Sequence, residues 1–146
     1  MKAESGLRVV IDTNVWISAA LKKTGVPARV VHMVFAQGQP VFSAQTHLEL
    51  ETRLWLPKFD RYAGLDERKA FLQDAGSLSY WVDVPPETAS RTFCRDADDD
   101  MFIHAALAAE APWLVTGDQD LLTVRKITGL RILSPIDALK MLEGRH

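Results

Sequence analysis

The sequence has few of the features that would brace the protein covalently or direct it to a membrane. It contains one cysteine, Cys94, so no disulfide can form within the chain. No apolar run approaches the ~18 residues of a membrane-spanning helix. Residues 1–6 also lack the apolar stretch of a signal peptide. We therefore expect a soluble cytoplasmic protein with no membrane partner.

Two kinds of metal site and a strong charge bias are also missing. The four histidines are scattered, and none pairs at a spacing typical of zinc ligands. Residues 96–100 lack the glycine and the closing glutamate of an EF-hand calcium loop. The net charge of −2 shows no overall basic excess of the kind typical of nucleic-acid binders. This charge neither supports nor excludes an action on RNA.

The sequence does have the composition of one globular domain. Its 146 residues are 47% hydrophobic and 25% charged, and no repeat or long linker divides them. Short strand-like runs alternate with helical patterns in the order β-α-α-β-α-α-β-α-β-α-β-α. This order predicts an α/β protein, a three-layer α/β/α sandwich with a mainly parallel five-stranded sheet. We expect a single domain over residues 1–146, with its core at about 7–142.

The predicted strands are short and end at polar or turn residues. They cover residues 9–11, 41–43, 79–84, 113–116 and 129–133. Helices are predicted at 14–21, from Pro27 until Gly38 and Pro40, from Ser43 or Thr46 until Pro57, and at 67–78, 101–110 and 136–142. A short turn or helix is predicted to begin at residues 121–122. Residues 87–94 have no clear pattern.

Acidic residues stand at four junctions between these elements. Asp12 ends the first strand, and Glu49 lies early in the helix after the second strand. Residues 98–100 are all Asp and begin the helix before the fourth strand, while Asp118 and Asp120 follow that strand. Because ligands of open α/β sheets bind at the carboxyl ends of the strands, Asp12, Glu49 and Asp118 should converge there. We expect residues 98–100 to need a chain segment that crosses to this edge.

Converging carboxylates repel each other unless they are protonated or neutralised. A divalent cation removes the repulsion, and hard oxygen ligands suit Mg²⁺ or Mn²⁺. Each acid taken alone also fits a helix cap, a first-turn residue or a turn residue. For Asp12 alone the cap is the favoured interpretation. Acids at all four junctions together predict a metal site.

Four segments, in this order, resemble the PIN-domain family of metal-dependent ribonucleases, especially the toxin components of bacterial toxin–antitoxin pairs. The segments are residues 10–15 (VIDTNV), 48–50 (LEL) with Leu54 and 57–59 (PKF), 95–100 (RDADDD) with Ile103 and Ala106, and 114–122 (LVTGDQDLL). The resemblance extends from Val9 to about Leu139. It implies a PIN-type sandwich whose acids bind Mg²⁺ or Mn²⁺.

The resemblance also implies which residues act. The catalytic and metal-binding acids carried over by position are Asp12, Glu49, Asp100 and Asp118. Asp120 is implied as an auxiliary metal ligand, and Asn14 and Thr116 as polar residues around the ligands.

The third acid of the site is either Asp100 or its neighbour Asp99. The family pattern favours Asp100, since the apolar Ile103 and the small Ala106 stand three and six positions after it. Asp99 stays possible because on an ideal helix it points nearer the apolar stripe that includes Phe102. Ala97 and Leu56 depart from the family's common residues, and these departures leave the cleavage specificity open.

The function implied is a metal-dependent endoribonuclease that hydrolyses RNA phosphodiester bonds, as the toxin of a type II toxin–antitoxin pair. Its implied partners are RNA, a small antitoxin and a second copy of the chain. One alternative is a PIN-like binding or regulatory protein without nuclease activity. Another is a phosphatase-like hydrolase with Asp12 as nucleophile, although the sequence lacks a second Asp two residues later.

Overall fold

The computed structural model describes residues 6–145 and contains one five-stranded sheet in the order β3-β2-β1-β4-β5. Every strand pair is parallel. The strands are β1 (Leu7–Ile11), β2 (Gly38–Phe42), β3 (Tyr80–Trp81), β4 (Trp113–Val115) and β5 (Arg131–Leu133). The predicted α/β fold with a parallel sheet is confirmed.

Helices cover both faces of this sheet. They are α1 (Thr13–Leu21), α2 (Val26–Gln37), α3 (Ala44–Leu54), α4 (Leu65–Leu78), α5 (Pro86–Ala89), α6 (Asp100–Ala109), α7 (Gln119–Leu122) and α8 (Pro135–Glu143). Short 3₁₀ turns lie at Pro57–Phe59 and Ala97–Asp99. Among residues 6–145, no helix combines the length and the apolar composition that a membrane crossing requires.

Two apolar cores lie on opposite faces of the sheet, because successive side chains of a strand point to opposite sides. In β1, Val9 and Ile11 pack with α1, α2, α3, α4 and α8, while Val10 packs with α6. The alanine-rich α6 lies close against β1, β2 and β4. The central strand β1 is therefore buried on both faces, and its carboxyl end is firmly placed.

Strand β2 begins at Gly38, where the sequence predicts the end of a helix. Gly38 pairs with Leu7 in the parallel ladder, and a Cβ added at Gly38 would lie 1.9 Å from the Leu7 carbonyl oxygen. Pro40 lies inside the strand, opposite Val9. Glycine thus ends α2 and also permits the close approach of β2 to β1.

The predicted third strand at 79–84 is too long, because only Tyr80 and Trp81 pair with β2 at the edge of the sheet. The chain then turns into α5 within the region that has no clear sequence pattern.

The helix that follows the Asp run begins at the carboxyl edge of the sheet, so our expectation of an extra crossing segment is wrong. A crossover helix between parallel strands runs antiparallel to them and therefore starts where the preceding strand ends. Helix α6 lies between β3 and β4 in this way, and Asp99 at its N-cap has a carboxylate oxygen within 4.8 Å of one from Asp118, which follows β4.

Candidate metal centre

Asp12 is held at the end of β1 with its carboxylate turned toward β4. Its backbone N–H donates to the Val115 carbonyl at 2.9 Å, which continues the pairing with β4. The side chain is only 5% exposed, and its Oδ2 accepts a 2.6 Å hydrogen bond from Thr116 Oγ1. Asp12 occupies the N-cap position of α1, and the Asn14 backbone N–H nearby lowers its pKa, but the side chain makes no capping hydrogen bond of ordinary geometry with the described residues. Capping alone therefore does not account for this carboxylate.

Thr116 links Asp12 to the turn after β4. Its buried hydroxyl donates to Asp12 and accepts a 2.9 Å hydrogen bond from the Asp118 backbone N–H. The Asp118 side chain then accepts a 2.9 Å bond from the Asp120 backbone N–H, as the cap of α7. One hydroxyl thus sets the relative positions of the first acid and the acids that follow β4.

Glu49 reaches the same edge from α3, which begins with a capping box between Ser43 and Thr46. The Thr13 hydroxyl, fully buried at the start of α1, donates to Glu49 Oε1 at 2.5 Å. The contact between Thr13 and Glu49 is not among the sequence predictions. The position of Thr13 directly after the acid that ends a buried strand is the one sequence signal for it.

Electrostatics show that three of these acids lie near one another. Burial raises the pKa of the Asp12 carboxyl above its ordinary value, and the hydrogen bond from Thr116 opposes this shift. The carboxylates of Glu49 and Asp118 raise it further. The edge of the sheet therefore concentrates negative charge, as its topology predicts.

Asp99, Asp118 and Asp120 form the tightest acidic group among the described residues. One carboxylate oxygen from each lies within 4.8 Å of the others. The pKa of Asp99 is raised to about 7 by partial burial and by the nearby charges of Asp118, Asp96 and Asp12. Asp99 thus faces the same acids that converge at the end of β1.

Asp100 has a different environment. Its side chain is 3% exposed, and its Oδ1 accepts hydrogen bonds from the backbone N–H groups of Phe93 at 3.1 Å and Cys94 at 2.8 Å. These bonds fasten residues 93–94 to the first turn of α6. Of the two candidates for the third acid, the structure groups Asp99, rather than Asp100, with Asp118.

The donor set fits a hard divalent cation. The converging groups are all carboxylates, and the repulsion that raises the pKa of Asp99 is the kind that a bound cation relieves. The resemblance also implies Asn14 as a polar residue around the ligands. In the structure, Asn14 lies in the first turn of α1 with its side chain exposed.

Comparisons with known proteins identify the family of this chain. The sequence profile of the PIN domain matches residues 8–120. An uncharacterized protein of Methanocaldococcus jannaschii is 34% identical over 120 residues, which are 82% of this chain and 76% of that protein.

Two solved structures share the fold. One is PAE2754 from Pyrobaculum aerophilum, with a TM-score of 0.61 and 18% identity over 95% of this chain and 97% of the other. The second is VapBC2 from Rickettsia felis, bound to a DNA fragment from its promoter. It has a TM-score of 0.60 and 14% identity over 88% of this chain and 98% of the matched chain.

Proposed function

Because this chain belongs to the PIN-domain family, a family of nucleases, we propose that it is a Mg²⁺- or Mn²⁺-dependent endoribonuclease that hydrolyses RNA phosphodiester bonds. The observation that carries the proposal is the close approach of Asp99, Asp118 and Asp120 beside Asp12. Carboxylates gathered at the ligand-binding edge of a parallel sheet suit a cation and a phosphate better than an apolar ligand.

The proposed ligands are Asp12, Asp99, Asp118 and Asp120, with Glu49 completing the site directly or through water. This assignment replaces Asp100 with Asp99 as the third acid, since Asp99 lies with Asp118 and Asp120 while the Asp100 Oδ1 accepts two backbone N–H groups. A divalent cation held there would polarise the scissile phosphate and lower the pKa of an attacking water.

The chain's own residues contribute orientation. The Thr116 hydroxyl holds the Asp12 carboxylate, and the Thr13 hydroxyl holds Glu49. Asp100 fastens residues 93–94 and so steadies the start of α6, where Asp99 lies. Side chains that are already oriented lose little entropy when they bind a cation and substrate.

Purified protein and a labelled single-stranded RNA test this function. The wild type is expected to cleave the RNA internally with Mg²⁺ or Mn²⁺, to stop in EDTA, and to lose activity on Asp12→Asn. Asp98→Asn is the matched control, because Asp98 is an exposed member of the same acidic run. Cleavage that survives both EDTA and Asp12→Asn would overturn the proposal.

The same experiment separates the two alternatives from the nuclease. A binding or regulatory protein would leave RNA intact under all of these conditions. A phosphatase-like hydrolase would form a covalent aspartyl-phosphate at Asp12, detectable by mass spectrometry after incubation with a phosphate ester.

The proposal includes a role as the toxin of a type II toxin–antitoxin pair, which the fold shared with the VapBC2 structure supports. An apolar groove of about 650 Å³ between α1, α2 and α4 is the candidate surface for a protein antitoxin, with Ala20, Met33 and Phe71 in its wall. Met33→Glu should release the antitoxin without changing RNA cleavage. A homodimer is part of the same proposal, and light scattering of the purified protein tests it.

A further inference from the structure

A second cavity lies on the α6 face of the sheet, away from the apolar groove. It has a volume of about 560 Å³ and combines residues from the loop before α6, from α6 itself and from the loop after α7. Its nine lining residues include Arg91, Thr92, Phe93, Arg125, Lys126 and Thr128. The cavity is therefore formed by two loops that each continue from the acidic centre.

The charge of this cavity is positive, in contrast to the neighbouring acids. Three of its nine lining residues are cationic and none is acidic. The side chains of Arg91, Arg125 and Lys126 are exposed. The Arg91 guanidinium lies 4.8 Å from the centre of the Phe93 ring, so an aromatic face helps to hold one cation at the cavity. The chain as a whole has a net charge of −2, so this group of three cations is a local concentration of positive charge.

Both loops lead directly to the metal-binding acids. The Phe93 backbone N–H donates to Asp100, the neighbour of Asp99. Cys94 follows Phe93, and the pKa of its thiol is raised to about 12 by burial, by Asp100 and by the charges of Asp99 and Asp118. On the other side, Val124 lies four residues after Asp120, just beyond the end of α7, and its backbone N–H donates to the Leu121 carbonyl at 3.2 Å. The positive cavity therefore adjoins the acidic centre.

We propose that this cavity binds the phosphodiester backbone of the RNA substrate through Arg125, Lys126 and Arg91, next to the point of cleavage. The inference rests on the proposed function, because it names the contact that holds the strand cut at the acidic centre. Cations and threonine hydroxyls supply the phosphate contacts.

A polyanion explains the charge pattern better than an acidic protein segment does. The acidic centre repels a polyanion until a cation neutralises it, so an RNA-cutting site needs an attractive surface close by.

The test measures RNA binding and RNA cleavage separately. The double variant Arg125→Gln/Lys126→Gln removes two charges while keeping side chains of similar length. The matched control is Arg61→Gln/Lys69→Gln, which also removes two exposed cations. Arg61 precedes α4 and Lys69 lies in it, and this helix packs on the other face of the sheet. Melting curves check that all proteins are equally folded.

Binding is followed by the fluorescence anisotropy of a labelled single-stranded RNA in EDTA over a series of KCl concentrations. Each phosphate contact on a single strand contributes about 0.7 to the slope of log Kd against log salt concentration. The slope of the double variant should therefore be smaller than that of the wild type by about 1.4. A fourfold rise in salt should then weaken wild-type binding about sevenfold more than binding by the double variant. In Mn²⁺, the variant should cleave with a raised KM and an unchanged kcat.

The outcomes separate this inference from the nuclease function. If the wild type cleaves RNA and the double variant matches it in salt slope and KM, the cavity proposal is overturned and the nuclease stands. The cavity would then be a candidate surface for an acidic protein segment. If the wild type binds RNA with the expected slope difference but never cleaves it, the cavity proposal stands and the nuclease falls. If the wild type neither binds RNA in EDTA nor cleaves it in Mn²⁺, both fall.

Discussion

Substitutions at Asp99 and Asp100 should have opposite effects on stability and on metal binding. Asp99 is half-buried and repelled by Asp118, so Asp99→Asn should leave the melting temperature of the metal-free protein unchanged or raise it. Asp100 accepts two backbone hydrogen bonds from Phe93 and Cys94. Hydrogen bonds to a charged group contribute about 1.5–3 kcal/mol each, and water can replace part of this at half-buried donors. Asp100→Ala should therefore cost about 2–4 kcal/mol.

The assay is a melting curve with EDTA and with Mn²⁺ at about 100 times its Kd, which should stabilise the wild type by about 2.7 kcal/mol. For a chain of this length, that energy corresponds to a rise of roughly 8 °C. Asp99→Asn should lose this rise. Asp100→Ala should melt roughly 6–12 °C below the wild type in EDTA, because the substitution lowers the free energy of unfolding by about 2–4 kcal/mol.

Asp100→Asn keeps an oxygen acceptor for Phe93 and Cys94, so it provides a milder test of the same role. It should retain the increase in melting temperature with Mn²⁺, and so should the exposed control Asp98→Asn. The assignment of the third acid is refuted if Asp100→Asn loses the Mn²⁺ effect while Asp99→Asn keeps it.

Three further predictions concern the fold and the charge at its edge. Gly38→Ala should destabilise the protein by about 1–3 kcal/mol in urea unfolding, because the added methyl overlaps the Leu7 backbone; an unchanged unfolding midpoint would contradict this packing. Arg68→Met should lower stability by about 2–3 kcal/mol, because the buried guanidinium bonds the Leu54 carbonyl at 3.0 Å; thermal unfolding measures this loss, with Arg68→Lys as the conservative comparison. In EDTA, the melting temperature of the wild type should fall relative to Asp99→Asn as the pH rises from about 4 through about 7. The sign follows because a carboxyl with a raised pKa stabilises the folded state while it is protonated and loses that contribution on ionising. A constant difference between the two proteins would contradict the raised pKa.

The features that were predictable from the sequence are those set by local patterns. The β-branched residues before Asp12 indicate a buried strand, and the polar residues after it indicate the strand's carboxyl end. Since parallel strands share an edge, the convergence of Asp12 with the acid after β4 follows from element order alone. The parallel sheet is predictable for the same reason, because helices alternate with strands along the chain.

The features that were not predictable depend on contacts distant in the chain or on the exact start of a helix. Thr13 holds Glu49 from 36 residues away, which no local pattern encodes. The choice between Asp99 and Asp100 depends on the 3₁₀ turn capped by Asp96, which sets the rotation of the first residues of α6. The start of β2 at Gly38 depends on the approach of β1, a tertiary contact that the local helix-ending signal does not encode.

The central claim is that a divalent cation held by the acids around Asp12 is required for RNA hydrolysis. Its most direct test is a Mn²⁺ titration of the EDTA-treated and dialysed wild type. Bound Mn²⁺ is followed by electron paramagnetic resonance, and the initial rate of RNA cleavage is measured in the same samples. The account predicts no cleavage without the ion and a rate that rises with the fraction of protein that has bound Mn²⁺. A full rate before any Mn²⁺ is bound, or bound Mn²⁺ with no cleavage of any RNA, would contradict it.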